Sequence, residues 1–292
     1  DIVLGGEGRD TFEYTTLTGN DTIVGGEIND TSPTFSGDKI DAHDGVEGLS
    51  VVFDGDESGT VTGGSGTIEF SEIEHFLGGQ GSDTIDASAS SVQQILDGGE
   101  GADTIEGGSG DDIIAMGMTQ DFSATDGDRD TLVLVDGFGN DSIEGFETAD
   151  SGDGTAIDQL DVSSLTSDGG TTPVTTDDVV VTDTNGDGTG DAILTFPGGE
   201  SITLWGVAPT DVDSAAELEA IGIPAPAAPL NYIVEGDGTA NLIDASYLGD
   251  PEGDRIDNGD ALDGSDNDSV TGGAGDDTIL SGAGNDSVDG GA

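Results

Sequence analysis

The residues best placed to do chemistry are aspartates that follow paired glycines at a fixed interval. Gly98-Gly99-Glu100-Gly101-Ala102-Asp103-Thr104-Ile105 and, directly after it, Gly107-Gly108-Ser109-Gly110-Asp111-Asp112-Ile113 follow the pattern G-G-x-G-x-D-x-U, with U a large aliphatic. Carboxylates and turn carbonyls are hard oxygen ligands, which suit calcium. The glycines allow positive φ in a tight turn, and the D-x-U that follows reads as a very short strand with its aliphatic residue inward. Asp112 lies nine positions after Asp103, so two motifs make one coil of about eighteen residues with turns on opposite sides. Stacking such coils sets the aspartates and carbonyls of adjacent turns face to face.

Further turns repeat the set. Gly8 and Asp10, Gly81 and Asp83, Gly275 and Asp277, and Gly284 and Asp286 occupy the same positions as Gly101 and Asp103 or Gly110 and Asp112. Shorter versions end in Asp21, Asp141 and Asp268, and Asp1-Ile2-Val3 reads as the close of another. A separate candidate is Asp183-Thr184-Asn185-Gly186-Asp187-Gly188-Thr189-Gly190-Asp191, D-x-N-x-D-G-x-x-D between two strand-like runs. It begins like an EF-hand loop, but its twelfth position is Leu194 where that loop carries a bidentate Glu. The expectation here is a calcium hairpin loop ligated by Asp183, Asn185, Asp187, Asp191 and the Thr189 carbonyl.

The nonapeptide is the signature of a calcium-binding parallel β-helix. On these motifs the chain resembles the repeats-in-toxin (RTX, hemolysin-type calcium-binding) β-roll of secreted bacterial proteins. The resemblance implies one-step type I export, an unfolded chain in low-calcium cytosol, and folding outside the cell, so it places the protein in the extracellular space or on the cell surface.

Composition agrees with a metal-linked fold. Against 63 Asp and Glu stand 4 Lys and Arg, a formal net charge of −59, with 52 glycines and no cysteine. Such a charge would favour disorder unless it were neutralised. Without disulfides, calcium would have to staple an extracellular fold. At free calcium near ten times the dissociation constant, each native-only site adds roughly 1.4 kcal/mol, so six add about 8 kcal/mol, enough to switch a marginal domain. The acidity excludes nucleic acid and anionic membrane as partners, and no apolar run approaches the length of a membrane span.

The elements that must position these ligands form a right-handed parallel β-solenoid or β-roll, followed by a β-rich capping segment, a Pro-rich linker and a second β-roll block. Residues 1–147 are assigned to the first roll. Within them Leu49–Phe53, Gly59–Thr62 and Thr67–Phe70 are expected to be strands of wider coils, and an insertion is expected near Thr119–Asp130. Residues 148–223 read as the cap, with a strand meander over Asp178–Trp205, Trp205 as its core anchor, and a short helix capped by Asp213 or Ser214 and ending at Gly222. Residues 224–229 are the linker, and 230–292 the second block. The C-terminal Gly290-Gly291-Ala292 begins another motif, which suggests a piece of a longer repetitive chain and allows copies to join end to end.

Enzymatic readings find little support. His43 and His75 sit in no zinc-protease frame, and there is no cysteine or G-x-S-x-G nucleophile. Among 63 acids, close carboxylate pairs carry no information. The expectation is a non-enzymatic calcium-binding structural protein: a filament, spacer, surface-matrix or adhesin segment. The alternative is the secretion and folding module of a secreted enzyme such as a polysaccharide epimerase or lyase.

Overall fold

Short strands of period two, each with one inward aliphatic, cannot bury that residue alone and must stack. The computed structural model, described for residues 1–26, 37–117, 125–226, 232–257 and 265–292, shows how they do so. The contacts divide it into two units, Asp1–Ala225 and Pro226–Ala292. Part of the expected insertion (119–124) and of the linker (227–229) lies outside the described residues.

In the first unit the chain alternates between two sheets. Sheet one runs, in spatial order, Ile2–Leu4, Thr18–Val24, Ser65–Ser71, Ser58–Gly63, Ser50–Phe53, Thr84–Asp86, Thr104–Glu106, Thr131–Val135 and Gln159–Ser164. Sheet two holds Thr11–Glu13, Lys39–Asp41, His75–Leu77, Ile95–Asp97, Ile113–Ala115 and Asn140–Glu144, then Ser201–Leu204, Ala192–Thr195 and Val180–Asp183. Successive coils pair parallel and in register: Ile85 with Ile105, Ile105 with Leu132, and Leu96 with Ile114. Those inward residues are all buried in one continuous core, each contributing about 1.5–3 kcal/mol. This is a β-roll.

One stretch departs from the expected coils. Ser50–Phe53, Ser58–Gly63 and Ser65–Ser71 are antiparallel to one another, a meander set inside an otherwise parallel sheet. Turns of only a few residues, at Asp54–Glu57 and Gly64, leave no length for a crossover, so the chain can only double back.

Residues 180–204 form the expected meander, which joins sheet two through Ser201–Leu204 against Asn140–Glu144. The helix spans Ala215–Ala220, and Ser214 and Glu217 form a capping box at its start. Its end covers the last strand of sheet one, where the Leu160 amide donates to the Ile221 carbonyl at 2.7 Å. Trp205 is not the core anchor: Ile202 and Leu204 point inward, and Trp205, next out of phase, is 45% exposed.

The second unit repeats the principle on a small scale. Val234–Glu235, Ser269–Thr271 and Ser287–Asp289 pair parallel, as do Leu242–Ile243 and Thr278–Ile279, around Val234, Ile243, Ile256 and Val270.

Candidate metal centres

The turns lie along two edges of the first unit, and each edge carries a column of acidic side chains. Where sheet two passes to sheet one, the column is Asp83, Asp103, Asp130 and Asp158. The Asp83 amide donates to Asp103 Oδ1 (2.6 Å), the Asp103 amide to Asp130 Oδ1 (2.7 Å), and the Asp130 amide to Asp158 Oδ1 (3.0 Å). Asp158 also accepts from the Glu147 amide at 2.7 Å, which closes the column at the cap. On the opposite edge the column is Asp10, Asp38, Glu74, Gln94, Asp112 and Asp141. There the Asp10 amide donates to Asp38 Oδ1, the Asp38 amide to Glu74 Oε2 and the Gln94 amide to Asp112 Oδ1, each at 2.7 Å, and the Asp112 amide to Asp141 Oδ1 at 2.9 Å.

Each amide bond uses one carboxylate oxygen and leaves the other facing its own turn. Oδ2 of Asp10, Asp38, Asp103 and Asp112 is buried with no hydrogen-bond partner. The glycines explain how these oxygens fit. A Cβ on Gly98 would lie closer than 3.0 Å to Asp103 Oδ2, and one on Gly107 closer than 3.0 Å to Asp112 Oδ2. Neighbouring carbonyls crowd the same turns: a Cβ on Gly99, whose φ is 100°, would meet the Gly79 oxygen of the adjacent coil. Gly8, Gly101, Gly275 and Gly284 share such positive φ values, whereas Gly81 and Gly110 are needed because the backbones of Glu47 and Val92 pass too close for a Cβ.

Burial raises these carboxyls well above their ordinary range. Asp83 is pushed up to about 6, Asp112 to about 7, Asp103 and Asp141 to about 8, and Asp130 to about 9, in each case first by loss of water. The chain has only 4 Lys and Arg, and Lys39 and Arg129 are engaged away from the columns. Lys39 pairs with Asp41 at 2.6 Å, and Arg129 binds Ser151, Asp153 and Thr155. A buried carboxylate oxygen beside peptide carbonyls, with no hydrogen-bond partner among the described residues, is a donor set that fits calcium.

Three column aspartates escaped the reading of the sequence, Asp38, Asp130 and Asp158, as did Glu74 and Gln94. None of these three aspartates follows paired glycines at the nonapeptide spacing. The signal they do share is D-x-U itself, in Asp38-Lys39-Ile40, Asp130-Thr131-Leu132 and Asp158-Gln159-Leu160.

Other expected ligands are not brought together in the same way. Asp1 and Asp21 share a register position, but the next coil presents Ile68 there, so their column ends. In the hairpin loop Asp183 accepts from the amides of Asn185, Asp187 and Gly188, Asp187 accepts from Thr189, and Asp191 turns aside to the Gly206 amide. Among the described residues the one trio of acidic or histidine ligand atoms within 4.8 Å of one another is Glu235, Asp250 and Glu252, which the sequence reading did not single out. In the second unit the Asn241 amide donates to Asp277 Oδ1 (2.9 Å) and the Asp268 amide to Asp286 Oδ1 (3.2 Å). Asp277 Oδ2 is buried without a partner.

The family model for the RTX calcium-binding nonapeptide repeat matches four copies, within residues 15–31, 94–122 and 262–292. The chain carries RTX calcium-binding nonapeptide repeats. RTX nonapeptide repeats bind calcium, and several repeats provide for several ions. No curated protein matches the chain. Among solved structures, the extracellular lipase LipA from Serratia marcescens aligns with 18% identity and a TM-score of 0.17, over 77% of this chain and 38% of that one. Among the described residues no helix of the chain is long and apolar enough to cross a membrane.

Proposed function

We propose that this RTX chain is an extracellular structural module, a spacer, filament or surface-matrix segment, that leaves the cell unfolded by the type I route and becomes rigid when it meets calcium outside. In this reading it catalyses no reaction itself and joins further copies end to end. The observation that supports it is the run of buried carboxylates from coil to coil, in which Oδ2 of Asp10, Asp38, Asp103 and Asp112 has no hydrogen-bond partner among the described residues. In sub-micromolar calcium those charges repel and their burial is unfavourable. At the calcium levels typical of extracellular modules, about 10⁻⁴–10⁻³ M dissociation constants, ligation reverses that balance.

Sedimentation velocity of the full chain in millimolar calcium and in chelator tests this. The expected result is a sharp fall in hydrodynamic radius with calcium, followed by association that grows with concentration. A radius indifferent to calcium, or turnover of glycan by the calcium-loaded chain, would contradict the proposal.

A further inference from the structure

The nonapeptide turns share an oxygen cradle that can be recognised without the motif. A Cβ placed on Gly78 would lie closer than 3.0 Å to both the Gly98 carbonyl oxygen and Asp83 Oδ2. The same holds at Gly5, for the Gly25 oxygen and Asp10 Oδ2. The fingerprint is therefore a glycine whose side-chain position is filled by two oxygens, the carbonyl of the next coil and the column carboxylate.

Gly25 carries this fingerprint where the sequence has no complete nonapeptide. Its side-chain position is filled by the Glu72 carbonyl oxygen and Asp38 Oδ2, each closer than 3.0 Å. Asp38 follows Gly25 by thirteen positions rather than five. Glu72 takes the place of a motif glycine and holds φ at 58°, a left-handed backbone that is uncommon for a residue with a side chain. That conformation aims its carbonyl into the cradle. Asp38 is fully buried and its Oδ2 has no hydrogen-bond partner. Its own amide is held by Glu74 Oε2 at 2.7 Å, so a second carboxylate stands directly behind it. The neighbouring lysine, Lys39, is occupied with Asp41. Asp38, Glu72 and Glu74 all fall between the matched repeat spans, which stop at 31 and resume at 94.

We propose that Asp38 Oδ2 and the Glu72 carbonyl, backed by Glu74, form a further calcium site that seats one ion against Gly25. It rests on the repeats of this chain binding calcium, but it stands or falls separately from them.

Native mass spectrometry of the full chain at saturating calcium counts the ions. Asp38→Asn is expected to hold one fewer than the unmodified chain. An unchanged count in a folded Asp38→Asn variant overturns the proposal. Glu72→Gly keeps the carbonyl and eases the backbone, so it is expected to keep the full count; loss of an ion there would overturn the carbonyl assignment. If Asp38→Asn does not fold, the unmodified chain decides. In terbium-loaded crystals an anomalous peak is expected beside Gly25, Asp38 and Glu72. Peaks at the nonapeptide turns with none at Gly25 would overturn this site alone, and no peak anywhere would overturn calcium loading as a whole.

Discussion

The two edges of the roll solve the same problem differently. On the edge through Asp83, Asp103, Asp130 and Asp158 four successive coils each contribute a carboxylate that takes the amide of the coil before it, beginning with the Leu49 amide. The edge through Asp10, Asp38, Glu74, Asp112 and Asp141 is interrupted once, at Gln94. The Gln94 side chain amide donates to the Asp56 carbonyl and to Ser90 Oγ, inside a turn that reads Ala-Ser-Ala-Ser-Ser-Val-Gln rather than Gly-Gly-x-Gly. Its main chain still donates to Asp112 at 2.7 Å, so the stacking geometry is kept. A neutral amide N–H thus satisfies acceptors that elsewhere face a cradle suited to a cation. The roll needs its column for register, and it needs charge in the column only where an ion is to bind.

The sharpest way to break this contrast is Asp103→Ala, in the middle of the uninterrupted column. It removes an acceptor for the Asp83 amide and a ligand position together, and is expected to cost roughly 2–4 kcal/mol in calcium and to raise the calcium midpoint of folding. Thermal melting in calcium measures this, and an unchanged midpoint would remove Asp103 from the metal site.

The next largest effect is expected from acidity, which acts on both edges. Without metal, the folded-state pKa values of about 6 to 9 for Asp83, Asp112, Asp103, Asp141 and Asp130 lie above the unfolded value near 4. Stability from these groups is therefore present below about pH 4 and lost as pH rises through their folded values. In chelator the chain is expected to hold more β-structure at pH 5 than at pH 8, while the calcium midpoint rises on acidification because protons compete for the same oxygens. β-content in chelator that does not change with pH would show that these carboxyls are solvated.

A smaller effect is expected from Gln94→Asp, which restores charge to the interrupted column. Its melting temperature should fall in chelator, and calcium should recover part of that loss. A fall of equal size with and without calcium would mean that the turn cannot accept an ion even when the charge is supplied. The smallest effect is expected from Asp187→Ala, whose partners are confined to its own loop. Hydrogen exchange should report loosening of 178–205 alone. Loosening of the 268–288 block as well would contradict independent behaviour of the two units.

How far the site was legible follows from these same residues. Asp103 and Asp112 stand out because three positive-φ or closely packed glycines precede each at fixed distance. Asp130 and Asp158 occupy equivalent positions, but the strands before them end as far back as Ala115 and Glu144. Their place is set by strand pairing, Thr131 with Thr104 and Leu132 with Leu160, and long-range pairing leaves no fixed local spacing in the sequence. The fold itself was legible where strands were short and regular, and the parallel stacking followed from their period. The meander over 50–71 was not, because the same alternating pattern serves an antiparallel hairpin as well as a coil; only the shortness of its turns distinguishes them.

Folding of this chain is proposed to follow ligation of its buried column carboxylates. Far-ultraviolet circular dichroism during a calcium titration, with magnesium at equal ionic strength as the control, is the decisive experiment. A cooperative coil-to-β transition is expected near millimolar calcium and not with magnesium. Full β-structure in chelator at neutral pH, or an equal response to magnesium, would contradict it.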